Sequence, residues 1–199
     1  MSSSRRSVKA NLAAFALILF VGPPLVAGAE RRHGAPADAG ELPKVHIDNF
    51  GRVNANYFRG AEPADQEYAN LAGLGIKTVI DLRSDDVDKD DKLLVERAGM
   101  KYVQIPMTTH EPPTGTVIEH FLHIVDDPEA RPVYVHCVGG RHRTGVMTAV
   151  YRMAREGWPA DRAFKEMKAY NFGADFLHPE FKKFVYAYRP NPSVVAVVE

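Results

Sequence analysis

From residue 43 onward, short apolar runs alternate with stretches whose apolar positions recur at helical spacing. Residues 45–50 and 57–59 read as short strands, and residues 65–72 as a helix ended by the glycines at 73 and 75. Residues 77–82, with Val79, Ile80 and Leu82, read as a buried strand. A helix over 88–98 closes at Gly99, and a strand follows over 101–107. Residues 116–125 carry Val117, Phe121, Leu122 and Val125 on one face, which predicts an amphipathic helix. Residues 132–136 form a further apolar strand, and helices are predicted over 145–156, 160–170 and 179–188. Strands alternating with helices predict an α/β layer structure with a mostly parallel sheet. Ligands of such sheets bind beyond the carboxyl ends of the strands.

Composition narrows this little. A chain of 199 residues, 45% hydrophobic, is the size of one ordinary domain. The 25 basic and 25 acidic residues cancel, so no charge excess points to nucleic acid. One cysteine excludes an intramolecular disulfide. The N-terminus is predicted to be a targeting segment. Arg5, Arg6 and Lys9 precede an apolar run over 12–21, Pro23 and Pro24 break it, and Ala27-Gly28-Ala29 supplies small residues for cleavage. The expected organisation is a signal peptide over 1–29, a polar linker over 30–44, the globular domain over 45–188 and a loose tail over 189–199. The mature chain is then periplasmic or secreted. The alternative is an uncleaved membrane anchor, for which the run falls short of the about 20 residues a span needs.

The chemistry concentrates in His136-Cys137-Val138-Gly139-Gly140-Arg141-His142-Arg143-Thr144-Gly145, which joins the strand over 132–136 to the next helix. Strand, glycine-containing loop and helix N-terminus form an architecture that binds phosphate on backbone amides. The thiol of Cys137 adds a nucleophile, whose pKa should fall beside those amides and the cationic side chains. Gly139 and Gly140 let the backbone approach an oxyanion. Arg143 suits bidentate contact with two phosphate oxygens. The Thr144 hydroxyl is placed to donate to the sulfur, and His136 to orient the loop. Phosphate binding is assigned to Val138, Gly139, Gly140, Arg141, His142 and Arg143.

The segment resembles the His-Cys-x5-Arg-Thr-Gly signature of cysteine-based protein phosphatases. A rhodanese-type sulfur-transfer loop also places cysteine after a strand, but usually lacks the Arg-Thr-Gly ending. The resemblance extends over roughly residues 45–187. Asn49-Phe50-Gly51-Arg52-Val53, Tyr57-Phe58-Arg59-Gly60, Glu62-Pro63 and the run from Gly75 to Arg83 are similar to atypical dual-specificity phosphatases. Gly140-Arg141-His142-Arg143-Thr144-Gly145 is close to the form found in plant and fungal members. The resemblance implies a compact fold with a four- to five-stranded sheet and helices on both faces. It also implies hydrolysis through a phosphocysteine, with no metal or cofactor.

Many members supply the leaving-group proton from an aspartate on a separate loop. The matching loop here, Thr108-Thr109-His110-Glu111-Pro112-Pro113-Thr114, has none. Glu111 is the first candidate, its Glu-Pro pair being similar to one in the plant and fungal subgroup. A buried glutamate above the phosphate would suit the role. His110 is the alternative, and a loop that only shapes the pocket is the third possibility.

The leading function is a protein-tyrosine or dual-specificity phosphatase acting on a phosphorylated protein. Arg141 and His142 add positive charge to the loop, which leaves inositol polyphosphate or phosphoinositide hydrolysis as an alternative. A non-catalytic phosphate-binding module is the third reading. No nucleic-acid partner is expected, and membrane contact only through an uncleaved signal segment. Asp81 and Arg83 read as structural. The acid-rich stretch Asp85, Asp86, Asp88, Asp90 and Asp91 reads as a solvated helix start, since it lacks the glycine and glutamate of a calcium loop. His33, His46, His120, His123 and His178 read as surface or packing residues outside any metal-site pattern.

Overall fold

The computed structural model describes residues 44–84 and 90–191. The signal segment, nearly all of the linker, Asp85, Asp86, Asp88 and the tail beyond 191 lie outside the described residues.

Five strands form one sheet: β1 (Gly51–Asn54), β2 (Tyr57–Gly60), β3 (Thr78–Arg83), β4 (Lys101–Met107) and β5 (Val133–His136). Their order across the sheet is β1-β2-β5-β3-β4. β1 runs antiparallel to β2, and the other pairings are parallel, as the alternation predicted. β5 sits at the centre and all four of its residues are buried, so the loop that begins at Cys137 leaves a fully buried strand.

Side chains alternate across a strand, and this sorts the core into two layers. Ile80, Leu82, Val133 and Val135 face α3 (Gly115–Asp126) and α4 (Arg143–Arg155), meeting Phe121, Leu122 and Met147. Phe58, Val79 and Tyr134 face the other way, onto Tyr68 and Leu71 of α1 (Glu67–Gly73) and Val95 of α2 (Asp91–Arg97). Each such aliphatic side chain contributes roughly 1.5–3 kcal/mol on burial. α5 (Ala160–Ala169) and α6 (Pro179–Ala187) pack on the outer side of α4 through Phe164, Met167, Phe181 and Val185.

Two expectations are corrected. Residues 45–50 are not a strand: Phe50 N–H donates to Ile47 O at 3.2 Å and Asn49 takes φ 52°, so the chain turns there. Ile47 and Phe50 still reach the core, which explains the apolar pattern that suggested a strand. Asp91 is not solvated. It is buried, ion-paired to Arg83, and accepts a hydrogen bond from Tyr68 Oη at 3.3 Å.

Candidate active site

Cys137 follows the last residue of β5 and is 3% exposed. It lines an open cavity of about 310 Å³ with Thr109, Val138, Gly139, Arg141, His142 and Arg143. α4 begins two residues earlier than predicted, so Arg143 and Thr144 belong to its first turn. The positive end of that helix therefore faces the loop.

The loop is held from behind. Val138 O accepts from Glu62 N–H at 3.1 Å. Gly139 O accepts from Asn49 Nδ2 at 2.7 Å, and Gly140 O from Arg59 Nη2. A peptide plane sets its N–H opposite its C=O. Fixing these three carbonyls on the β1–β2 segment thus turns the amides of Gly139, Gly140 and Arg141 away from it, as an anion cradle requires. Gly140 has φ 64°, and a Cβ there would run into the backbone of Gly60 and Ala61. Asn49 is itself held, its Oδ1 accepting from Asn171 Nδ2 at 2.7 Å. Arg59 is fully buried with its guanidinium 4.0 Å from the Tyr170 ring centre, and its Nε and Nη1 have no hydrogen-bond partner among the described residues. Burial lowers its pKa. Asn49, Arg59 and Glu62 lie in the segments that carried the family resemblance, but their sequence positions alone indicate no role.

Arg143 is buried, and its Nη1 donates to Met107 O at 3.1 Å, which ties the arginine of the loop to the end of β4. Ser84 Oγ donates to the same carbonyl at 2.9 Å. His136 is fully buried with its ring stacked on Tyr134, and burial drives its pKa down to about 4. A neutral imidazole there fits orientation rather than proton transfer. Thr144 Oγ1 is buried without a hydrogen-bond partner among the described residues, so its anticipated bond to the sulfur is not formed here.

Asp81 and Arg83 are structural, as read. Asp81 accepts from the Arg83 backbone N–H and from Nε, both at 2.9 Å, and Arg83 Nη1 pairs with Glu62 at 2.5 Å. Burial opposes the charge on Arg83, but its bonds to Asp81 and Asp91 prevail and raise its pKa. Glu62 thereby links this buried network to the loop carbonyl of Val138.

Three expectations for the cavity rim change. Glu111 is not buried: it is exposed and lines a neighbouring cavity with Thr108, Pro112, Pro113 and Val117, while Thr109 reaches the Cys137 cavity. His142 adds no strong positive charge, because burial, His178 and the flanking arginines lower its pKa. Its Nε2 lies 3.0 Å from Phe172 O. His178 packs as read, against Phe172 and Phe181, but it is not outside a grouping of metal-ligating side chains. It stacks on His142 with ring centres 3.8 Å apart, and His110, His178 and Glu180 bring donor atoms within 4.8 Å of one another.

A family model described as "DSP-PTPase phosphatase fused to NAD+ Kinase" matches residues 46–182. The chain is 29% identical over 163 residues to the dual specificity protein phosphatase TpbA of Pseudomonas aeruginosa, covering 81% of this chain and 72% of TpbA. A crystal structure of a TpbA variant in complex with pTyr superposes with a TM-score of 0.60 at 27% identity, covering 69% of this chain and 82% of that one. The inositol diphosphatase SIW14 of Saccharomyces cerevisiae is 25% identical over 130 residues, 63% of this chain and 46% of SIW14. Its catalytic domain, with a TM-score of 0.64 over 73% of this chain and 89% of that one, shares the fold.

Proposed function

The chain belongs to the DSP-PTPase family so matched, and from that premise we propose that it hydrolyses phosphotyrosine-type monoesters through a phosphocysteine on Cys137. The observation that carries this reading is the clamped loop: a cysteine at the cavity floor, amides turned from the protein body, and Arg143 beside them.

Substrate phosphate docks on the loop amides and on Arg143. The Cys137 thiolate attacks phosphorus in line, forming the S–P bond as the P–O bond to the leaving group breaks. Preorganised donors stabilise the charge spread over the equatorial oxygens. Glu111 protonates the departing alcohol once its loop moves over the substrate, then acts as base for the water that cleaves the phosphocysteine. Thr144, whose buried hydroxyl lacks a partner, donates to the sulfur as it leaves. The pTyr complex of TpbA supports a phosphotyrosyl substrate, and the low charge on His142 accords with it. The order of basic, apolar and small residues over 5–29 supports an exported enzyme whose catalytic unit spans 45–188.

A second reading, inositol polyphosphate hydrolysis, is favoured by one feature. Arg141, Lys168, Asn171 and Gly173 line a further cavity of about 550 Å³ that shares Arg141 with the loop. The test is phosphate release in chelator from a phosphotyrosine peptide, an inositol polyphosphate and a phosphoinositide, with Cys137→Ser in parallel. Release that favours the peptide and vanishes in the variant supports the proposal. Preference for the inositol polyphosphate transfers it to the second reading. No release with retained phosphate-ester binding indicates a binding module.

A further inference from the structure

The rim of the catalytic cavity carries a group of side chains with no part in the chemistry above. His110 lies in the acid loop, next to the cavity-lining Thr109. His178 and Glu180 come from the start of α6. The His178 Nδ1 and Glu180 Oε1 atoms are 3.3 Å apart. Two ligands on a tetrahedral zinc, each at about 2.0–2.1 Å, are separated by about 3.3 Å. The His110 ring stacks over that of His178 at 6.0 Å, and the donor atoms of all three residues lie within 4.8 Å. His142, which lines the Cys137 cavity, packs on the other partner of this stack.

We propose that His110, His178 and Glu180 form a binding site for a divalent transition cation, with Zn²⁺ the best match, at the rim of the catalytic cavity. Two imidazoles and a carboxylate are a common zinc donor set, and a fourth position is left for water. His110 is exposed while His178 and Glu180 are half-buried, so the anchored pair receives the ion and the loop residue closes on it. The consequence lies in the chain on either side of His110. A cation fixing His110 to α6 holds the Thr108–Thr114 loop, and with it Glu111, away from the movement that proton transfer requires. Zn²⁺ is then a reversible inhibitor and no part of the hydrolytic step; this effect on turnover rests on the function proposed above.

The binding half is tested without turnover. Full-length Cys137→Ser, which lacks the competing thiolate, is stripped with chelator and titrated with Zn²⁺ by calorimetry. One ion per chain is expected, with binding about 100-fold weaker when His110→Ala or Glu180→Gln is added. Loss of binding in Cys137→Ser itself, or equal affinity in both double variants, overturns the site. Melting curves of the metal-free variants verify folding. The inhibitory half is tested in protein with Cys137 intact. Micromolar Zn²⁺ should slow the wild type and chelator restore it, whereas Glu180→Gln keeps its metal-free rate and loses the sensitivity. Equal inhibition of both proteins overturns the inhibitory role. A metal-free wild type with no activity rejects the phosphatase reading, and the calorimetric result stands apart from it.

Discussion

The two loops that meet over Cys137 are built on opposite principles. The loop from Cys137 to Arg143 leaves a fully buried central strand, enters a helix that is buried through its first turns, and has three consecutive carbonyls held by Glu62, Asn49 and Arg59. The loop from Thr108 to Thr114 is largely exposed, and its hydrogen bonds are local: Glu111 N–H to Thr108 Oγ1 at 3.1 Å, and Thr114 Oγ1 capping α3 through Val117 N–H at 3.3 Å. In the mechanism proposed above, phosphate recognition is preorganised, whereas proton delivery awaits a conformational step. An oxyanion cradle gains from donors fixed before the substrate arrives, since no reorganisation is left for the moment of reaction. An acid that must reach over a bound leaving group gains from being released until binding has occurred.

The largest way to break this contrast is at the preorganised side. Cys137→Ser should lower phosphate release by about 10⁴-fold or more while leaving substrate binding measurable by calorimetry. Arg59→Met should lower kcat/KM by about 10²-fold through displacement of the cradle. Its melting point should change little. The lost bond to Gly140 O is offset by removing a buried guanidinium with two nitrogens that have no hydrogen-bond partner among the described residues, so stability shifts by about 1 kcal/mol or less. A large fall in stability with unchanged kcat/KM would show that Arg59 merely packs.

On the other loop, Glu111→Gln should cost about 10²-fold with an alkyl phosphate and only a few-fold with an aryl phosphate of low leaving-group pKa. Equal losses with the two substrates would remove Glu111 as the acid and make His110→Gln the next comparison. The smallest effect comes from His136. Its pKa lies near 4 in the folded chain against the ordinary 6.5, so the unfolded chain binds more protons between those values. Stability should therefore fall as pH drops from about 6.5 towards 4, and denaturant titrations of His136→Asn should lose part of that slope.

The contrast also explains what was legible in the sequence. The ten residues from His136 to Gly145 are contiguous, so strand, nucleophile, glycines and arginine were visible together, and the alternation around them predicted the sheet. The clamps were not visible as clamps. Asn49 lies 90 residues and Arg59 81 residues from the carbonyls they hold, and only the parallel pairing of β2 with β5 brings them there. Asp91 misled for a similar reason. Its local surroundings are acidic, and its partner Arg83 reaches it only because β3 and α2 pack together. The grouping of His110 with His178 and Glu180 spans the chain from the acid loop to α6 and leaves no local spacing to read. Glu111 was assigned from its pairing with Pro112, but burial depends on what covers a loop, which neighbouring residues do not encode.

The central claim is that Cys137 takes the phosphoryl group covalently. The direct measurement is rapid quenching of residues 30–199 during turnover of a phosphotyrosine peptide, followed by mass mapping of the peptide that contains Cys137. The account predicts phosphate on Cys137 within the first turnover, its disappearance once the peptide is exhausted, and its absence from Cys137→Ser. Hydrolysis that proceeds with Cys137 unmodified throughout, or that persists in Cys137→Ser, would contradict it.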